Sequence, residues 1–425
     1  MSASGPWLFE NLRLRAIQQR PSPDLQTANS RNVVDRDVAS LNSATISTVR
    51  QLIRGEAMRV VICGSGVIGA CTAYFLSRRG IDVTVVERTE VAAAASGKAG
   101  GFLALDWCSG SPLDAMAQRS FGLHAALPHE IAGDWGYRRM TAYNGFVVSE
   151  RDARRHKPAT LEWLSEGVVI ESRLGTKETT AIVHPRAFTA AMMGAALKRG
   201  AELRHGRVTG IVRTADGSTV RGVEVDDGVV ESDAVVVAMG PWSVMAAEWM
   251  ALPAVYGRRS PSLVYDTGMD VPGDALFLEY QQETGGAATV EVFPRANGHT
   301  LITAFSDEPP LPIDPAAVTS DQSEVDRLQI IGERLSPTLR PDKIIARQAC
   351  FRPITQDGLP LIGKVPRIEG AYVATGHGVW GILNAPATGE ALAELIADGG
   401  ARSTDLTPFD PTRLQPLDPA RLRSR

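Results

Sequence analysis

Arg59-Val-Val-Ile-Cys63, Gly64-Ser-Gly66-Val-Ile-Gly69 and Ala70-Cys-Thr-Ala-Tyr-Phe-Leu-Ser-Arg-Arg79 follow one another without interruption. The first run is short, apolar and β-branched, the pattern of a strand covered on both faces. The third reads as a helix stopped by Gly80. Ile81-Asp-Val-Thr-Val-Val86 then forms a second strand, closed by Glu87. Together they predict one βαβ unit. In such a unit a pyrophosphate rests on the N–H groups at the helix N-terminus, where Val67 and Ile68 stand. Gly64 allows the tight turn, Gly66 has no Cβ to block the phosphates, and Gly69 lets the helix close on the strand. Glu87, eighteen residues after Gly69, stands where a carboxylate accepts from adenosine ribose hydroxyls. A glycine-rich loop that binds nothing is the bland alternative, and the strand, helix and acid in register argue against it. Glu87 would repel the 2′-phosphate of NADP, although Arg88 beside it pulls the other way. A single fingerprint and no CxxxxC pair leave NAD and FAD open.

The rest of the chain agrees with a globular enzyme. It has 425 residues, 44% hydrophobic and 22% charged, enough for a large core and two or three domains. A formal net charge of −4 argues against nucleic acid as the main partner, because phosphate binding needs clustered Lys and Arg. The four cysteines (Cys63, Cys71, Cys108, Cys350) show neither a disulfide framework nor a zinc spacing, so no metal is expected. No window reaches the ~20 apolar residues of a membrane span. Integral membrane association is therefore not expected.

Residues 1–57 read differently, with seven Arg and five acids and no strand alternation. Transit segments are poor in acids, so a disordered extension and a cytoplasmic location are expected. A plastid or mitochondrion is the alternative if this segment is a transit peptide. Further on, Pro185 to Gly200 reads as an amphipathic helix, and short strands with Asp-Gly turns lead to the buried run Ala234-Val-Val-Val-Ala238. More strands follow over 256–306, then a helix near 322–335, a final helix near 385–398 and a Pro/Arg-rich tail expected on the surface.

Four stretches converge on one family. They are Gly64–Glu87, Ala95-Ser96-Gly-Lys98-Ala-Gly100-Gly101, Ala238-Met-Gly240-Pro-Trp242-Ser243, and Gly376-His377-Gly378-Val-Trp-Gly381. With Arg352-Pro-Ile-Thr-Gln-Asp-Gly-Leu-Pro-Leu-Ile-Gly363 and Ala387-Thr-Gly389, the chain resembles FAD-dependent oxidoreductases of the D-amino-acid oxidase, glycine oxidase and D-amino-acid dehydrogenase type. The resemblance runs from about Met58 to Asp398. It implies an α/β fold: a Rossmann-like FAD-binding domain beside a β-rich substrate domain, the glutathione-reductase-like architecture of the D-amino-acid oxidase subclass. The expected division gives 58–115, 180–255 and 345–400 to FAD, 116–179 and 256–344 to substrate, and 401–425 to a tail.

The resemblance also implies the chemistry. It implies non-covalent FAD, held by Gly64, Gly66, Val67, Ile68, Gly69, Glu87, Arg88, Ser96, Gly100, Gly101, Val208, Gly240, Trp242, Gly376, His377, Gly378 and Gly381. A glycine-rich turn feeding a helix supplies positive potential where a reduced flavin carries negative charge. Arg352 would grip a substrate carboxylate with its guanidinium fork. His377 is a second catalytic candidate, though hydride transfer from a neutral amine to flavin N5 needs no base, and shaping the flavin turn is the simpler role. Glycine oxidases carry a second Arg where this turn has none, which leans toward D-amino-acid dehydrogenases or a different amine. Cys350 stands where sarcosine oxidases attach their flavin covalently; a buried apolar thiol is the simpler reading. Lys98 is a candidate over the flavin, with a solvated loop lysine the simpler reading, and Tyr265, Tyr280, Phe293 and Trp107 are candidate cage or core residues. Glu291 supports the fold and no site.

The implied function is oxidation of the C–N bond of an amino acid or secondary amine, with electrons passed to O2 or another acceptor. The expected partners are a small-molecule substrate and that acceptor, with no nucleic acid. An NAD-dependent dehydrogenase and a non-catalytic flavoprotein serving assembly or trafficking are the alternatives.

Overall fold

The computed structural model describes residues 58–148, 161–226, 228–281 and 287–423. The expectation for residues 1–57 lies outside the described residues. The βαβ unit forms as read: strands Arg59–Cys63 and Asp82–Glu87 flank a helix over Val67–Ser77. They sit in a six-stranded sheet ordered Leu361–Lys364, Ala371–Thr375, Ala234–Val237, Arg59–Cys63, Asp82–Glu87, Glu202–His205. All neighbours are parallel except the Leu361–Lys364 edge.

The alternation of burial explains why these strands are apolar throughout. Val60, Ile62, Val83, Val85 and Val236 face the helices Val67–Ser77, Asp114–Ile131, Pro185–Leu197 and Gly381–Asp398. Val61, Cys63, Val86, Val235 and Val237 face a three-stranded sheet of Val208–Arg213, Val220–Val225 and Gly228–Glu231. A strand with protein on both sides has no polar face to show.

The second layer is a seven-stranded sheet ordered Ile344–Ile354, Tyr256–Asp266, His299–Thr303, Ala287–Pro294, Asp274–Gln281, Thr141–Val147, Val168–Gly175. One face packs on the amphipathic helix Gln322–Leu335, whose start is fixed by a reciprocal cap between Asp321 and Glu324. The other face, carrying Ser260, Ser262, Phe277, Glu291, Phe293, Cys350 and Arg352, looks into the large cleft beside the first sheet.

Two boundaries differ from the sequence reading. The strand Ile344–Ile354 pairs with Tyr256–Asp266 from Ile354 to Ile344, so Cys350 and Arg352 belong to the substrate-side sheet, not to the FAD-binding pieces. The helix Asp114–Ile131 buries Met116, Ala117, Phe121 and Leu127 with the dinucleotide-side helices instead of joining the substrate side. The tail is pinned to the fold along the surface: Phe409 is 1% exposed, Arg413 grips Asp357 through two nitrogens, and the Leu417 amide donates to Leu252. Arg352 and Asp357 share one predicted run, but the ladder, a tertiary choice, divides it. Among the described residues no helix is long and apolar enough to cross a membrane, and no His/Cys/Asp/Glu group is arranged to hold a metal.

Candidate active site

The cleft has a volume of about 780 Å³. Its floor begins at the turn after the first strand. Gly64 takes φ +103°, a conformation open to glycine, and a Cβ there would lie 2.7 Å from the Ala238 carbonyl oxygen. A Cβ on Gly69 would lie 2.0 Å from the Gly64 carbonyl oxygen, so Gly69 closes the helix on the strand and does not itself line the cleft. Gly66 does line it, and a Cβ there would approach Ser96 Oγ at 3.1 Å. Ser96 Oγ in turn accepts from the Val67 amide at 2.8 Å. Gly66, Val67, Ile68 and Ser96 therefore share one narrow rim.

Glu87 is fixed from both sides. The Ser65 amide and hydroxyl donate to Oε2, each at 2.8 Å, and Thr89 donates to Oε1 through its amide at 2.8 Å and its hydroxyl at 2.9 Å. Charged hydrogen bonds from four donors lock the carboxylate while it still faces the cleft. Arg88, Val208, Gly240 and Trp242 line the same end. The polar groups of two of them are engaged elsewhere. Arg88 donates to the Ile313 carbonyl at 2.8 Å, and Trp242 Nε1 donates to the Pro312 carbonyl at 2.7 Å. Both thereby hold a strap that runs between the strand His299–Thr303 and the helix Gln322–Leu335.

At the other end lies the second glycine turn. Gly376 and Gly378 take φ +81° and +57°. A Cβ on Gly376 would lie 2.7 Å from Thr355 Cγ2, so Gly376 shapes the turn behind the cleft wall, whereas His377, Gly378 and Gly381 line the wall itself. His377 is 4% exposed, and burial depresses its imidazole to about 3. Its Nε2 lies 3.0 Å from Thr388 Oγ1, and Nδ1 is buried without a hydrogen-bond partner. A neutral ring tied to the helix it precedes is a turn-shaping group; its orphaned nitrogen is the part left over. The helix Gly381–Asp398 starts at the cleft with Gly381 and Ile382, directing the positive end of its dipole there.

The substrate-side wall is mixed. Gly100 admits the Phe293 ring, which a Cβ would meet at 2.3 Å, and Phe293, Phe277 and Phe102 pack ring on ring. Trp107 packs behind Phe102 and Phe277 rather than on the cleft wall. Tyr265 and Tyr280 belong to the opposite face of the sheet, in the core under the helix Gln322–Leu335, so they form no cage. Lys98 lines the cleft and donates to the Ala349 carbonyl at 3.0 Å; burial lowers its ammonium below the usual lysine range. Burial raises the Cys350 thiol, against the pull of Arg352 and Lys98, which disfavours a thiolate. Arg352 Nε is buried without a partner.

The structure thus gathers all the predicted cofactor residues around one cleft, with Gly69 and Gly376 behind it and Gly101 beside Gly100. Sequence reading missed Ser65 and Thr89, which hold Glu87, and Glu291, which faces the cleft. Position −22 and +2 from Glu87 carries no motif in itself; the strand parity of Glu291 with Phe293 was the available signal.

These residues fit a flavin dinucleotide: a glycine cradle, a fixed ribose-side carboxylate, and a second helix start at the far end. Comparison with known proteins agrees. A family model described as FAD dependent oxidoreductase matches residues 59–395. The chain belongs to that family. An oxidoreductase of Schizosaccharomyces pombe is 30% identical over 83% of this chain and 97% of its own length. The glycine oxidase of Pseudomonas aeruginosa is 28% identical over 83% and 98%. Among solved structures, glycine oxidase from Geobacillus kaustophilus has a TM-score of 0.70 and 25% identity, covering 84% of this chain and 99% of that one. The protein is an FAD-dependent enzyme with the Rossmann-like architecture of this family.

Proposed function

We propose that this oxidoreductase oxidises the C–N bond of an amino acid or a secondary amine to an imine, which water then hydrolyses. The observation that carries the reading is Arg352. It projects into the cleft from the substrate-side sheet, and it makes no ion pair or hydrogen bond with another described residue. A half-buried guanidinium without a direct ion-pair partner is costly unless a ligand provides one. A carboxylate matches its fork.

Bound FAD supplies the two-electron acceptor. The chain's own residues do the rest. Arg352 holds the carboxylate and so fixes which substrate bond faces the flavin pocket. Phe277 and Phe293 give an apolar wall that keeps water from the reacting carbon. His377 stays neutral and keeps the Gly376–Gly381 turn in place. Lys98, a cation lining the cleft, would attend reoxidation by O2 or another acceptor.

The test is anaerobic mixing of the purified yellow protein with D-, L- and N-methyl amino acids. Bleaching of the flavin by at least one of them is expected. Arg352→Met should raise KM for that substrate by about 100-fold, as loss of a charged hydrogen-bond pair does. No bleaching across the panel would favour a non-catalytic flavoprotein. Air exposure with peroxide detection then separates an oxidase from a dehydrogenase.

A further inference from the structure

Arg352 is not alone in lacking a direct ion-pair partner among the described residues. Glu291 stands on the strand Ala287–Pro294, on the same cleft-facing side of the sheet, half-buried. The strands of the two residues are separated by two others. Like Arg352, Glu291 makes no hydrogen bond or ion pair with another described residue. The two charges feel one another, since Arg352 favours the ionised form of Glu291 against the burial that raises its carboxyl. They nevertheless do not close on each other.

The neighbours explain why the gap is kept. Across the ladder Glu291 faces Phe277 on one side and Thr303 on the other, and both line the cleft. Phe293, two residues along, is wedged against Gly100. Arg352 is anchored on a different strand, opposite Arg258. An acid and a base left apart in one partly dry cleft are a receptor for a molecule that carries both opposite charges. A simple carboxylate would serve Arg352 alone, leaving Glu291 unpaired and adding a second anion beside it.

We infer that Glu291 is the acceptor for the substrate's ammonium group, and that the site selects zwitterions: a carboxylate on Arg352 and a primary or secondary ammonium on Glu291. This rests on the amino-acid reading above and narrows it. It ranks amino acids above N-acyl amino acids, 2-hydroxy acids and dicarboxylates without an amine.

The test uses the full holo-protein, reduced under argon so that no ligand is turned over, and calorimetric titration. The probes are alanine and phenylalanine, each beside the acid in which a methyl group replaces the ammonium: isobutyrate and 2-methyl-3-phenylpropanoate. Wild-type protein should bind one amino acid about 10- to 100-fold more tightly than its partner acid, the worth of a charged hydrogen bond. Glu291→Gln should bring that ratio close to one without weakening the partner acid. Arg352→Met should weaken both members. A wild-type ratio near one, or a ratio unchanged in Glu291→Gln, overturns the role of Glu291 and leaves Arg352 standing if Arg352→Met still loses both. Binding insensitive to Arg352→Met, or no binding of any probe, overturns the carboxylate reading beneath it. The melting temperature of each variant separates lost binding from lost fold.

Discussion

His124 donates through Nε2 to the Ile382 carbonyl at 2.9 Å, a carbonyl that the proline one turn later cannot serve. Pro386 lies inside the helix Gly381–Asp398 and has no N–H for residue 382. The Leu383 carbonyl lies 3.2 Å from the same nitrogen, and the Ala387 amide donates to Ser120 Oγ at 3.1 Å. Ser120 and His124, one turn apart on a neighbouring helix, splint the break in the helix whose first turn lines the cleft.

That splint makes a double-variant prediction. His124→Ala leaves a buried carbonyl without its donor and should cost about 2–3 kcal/mol in denaturant unfolding. Pro386→Ala returns an N–H to the chain at the right place, so adding it to His124→Ala should recover about 1 kcal/mol or more. Additive losses in the double variant would show that the histidine does not serve the proline's missing bond.

Buried histidines also set an acid limit. Burial depresses His124 to about 4 and His377 to about 3, below the ordinary value of 6.5. The unfolded chain therefore binds more protons than the folded one between these values, and stability is full above pH 6.5 and is lost as pH falls toward 4. At pH 5 each should cost on the order of 2 kcal/mol. Urea midpoints from pH 8 to pH 5 should fall, and His124→Gln should flatten part of the slope. A flat wild-type profile would mean that both rings titrate in the fold as they do in the unfolded chain.

The dinucleotide half was legible because its signals are local: a strand, a glycine turn, a helix and Glu87 sit within thirty residues, and each glycine has a steric reason in the structure. The substrate half was less so. Tyr265 and Phe293 look alike as aromatic strand residues, and only the ladder register sends one under a helix and the other into the cleft. For Glu291 strand parity with Phe293 was the one local signal; its meaning comes from Arg352, sixty-one positions later and three strands away. Likewise Ser120 and His124 belong to no motif, and their role appears only when Pro386 is packed against them.

The glycines separate packing from binding. Gly69→Ala places a methyl 2.0 Å from the Gly64 carbonyl oxygen, so the helix must move, and the apoprotein should melt several degrees lower. Gly66→Ala meets only Ser96 Oγ at 3.1 Å, so the apoprotein should melt within about 2 °C of wild type. Its FAD affinity should nonetheless fall about tenfold or more, because the methyl occupies the rim meant for phosphate. Fluorescence titration of apoprotein with FAD measures it, and unaltered affinity in Gly66→Ala would place the pyrophosphate elsewhere.

Cys350 gives a simpler readout. Its thiol is raised by burial and lines the cleft, so it lacks the thiolate that flavin attachment requires. Acid precipitation should release all the yellow colour, and the denatured chain should show its sequence mass. A mass increase matching FAD, lost in Cys350→Ser, would reverse this.

The strap over the dinucleotide end should govern how fast the cofactor leaves. It is held by Trp242 Nε1 to Pro312 and by Arg88 to Ile313, while Asp307 and Asp321 at its two ends share Arg259. Arg259 is 9% exposed and its ion pairs with Asp307, Asp321 and Glu324 anchor the strap at its base, so the middle is the part free to lift. Trp242→Phe removes one buried donor and leaves the ring's packing largely in place, at a cost of about 1 kcal/mol. That loss falls on the closed strap, so FAD should dissociate about fivefold faster while the association rate changes little. Trapping released FAD with excess apo-flavodoxin gives the rate directly. An unchanged release rate in both Trp242→Phe and Arg88→Met would mean that the strap does not move when the cofactor leaves.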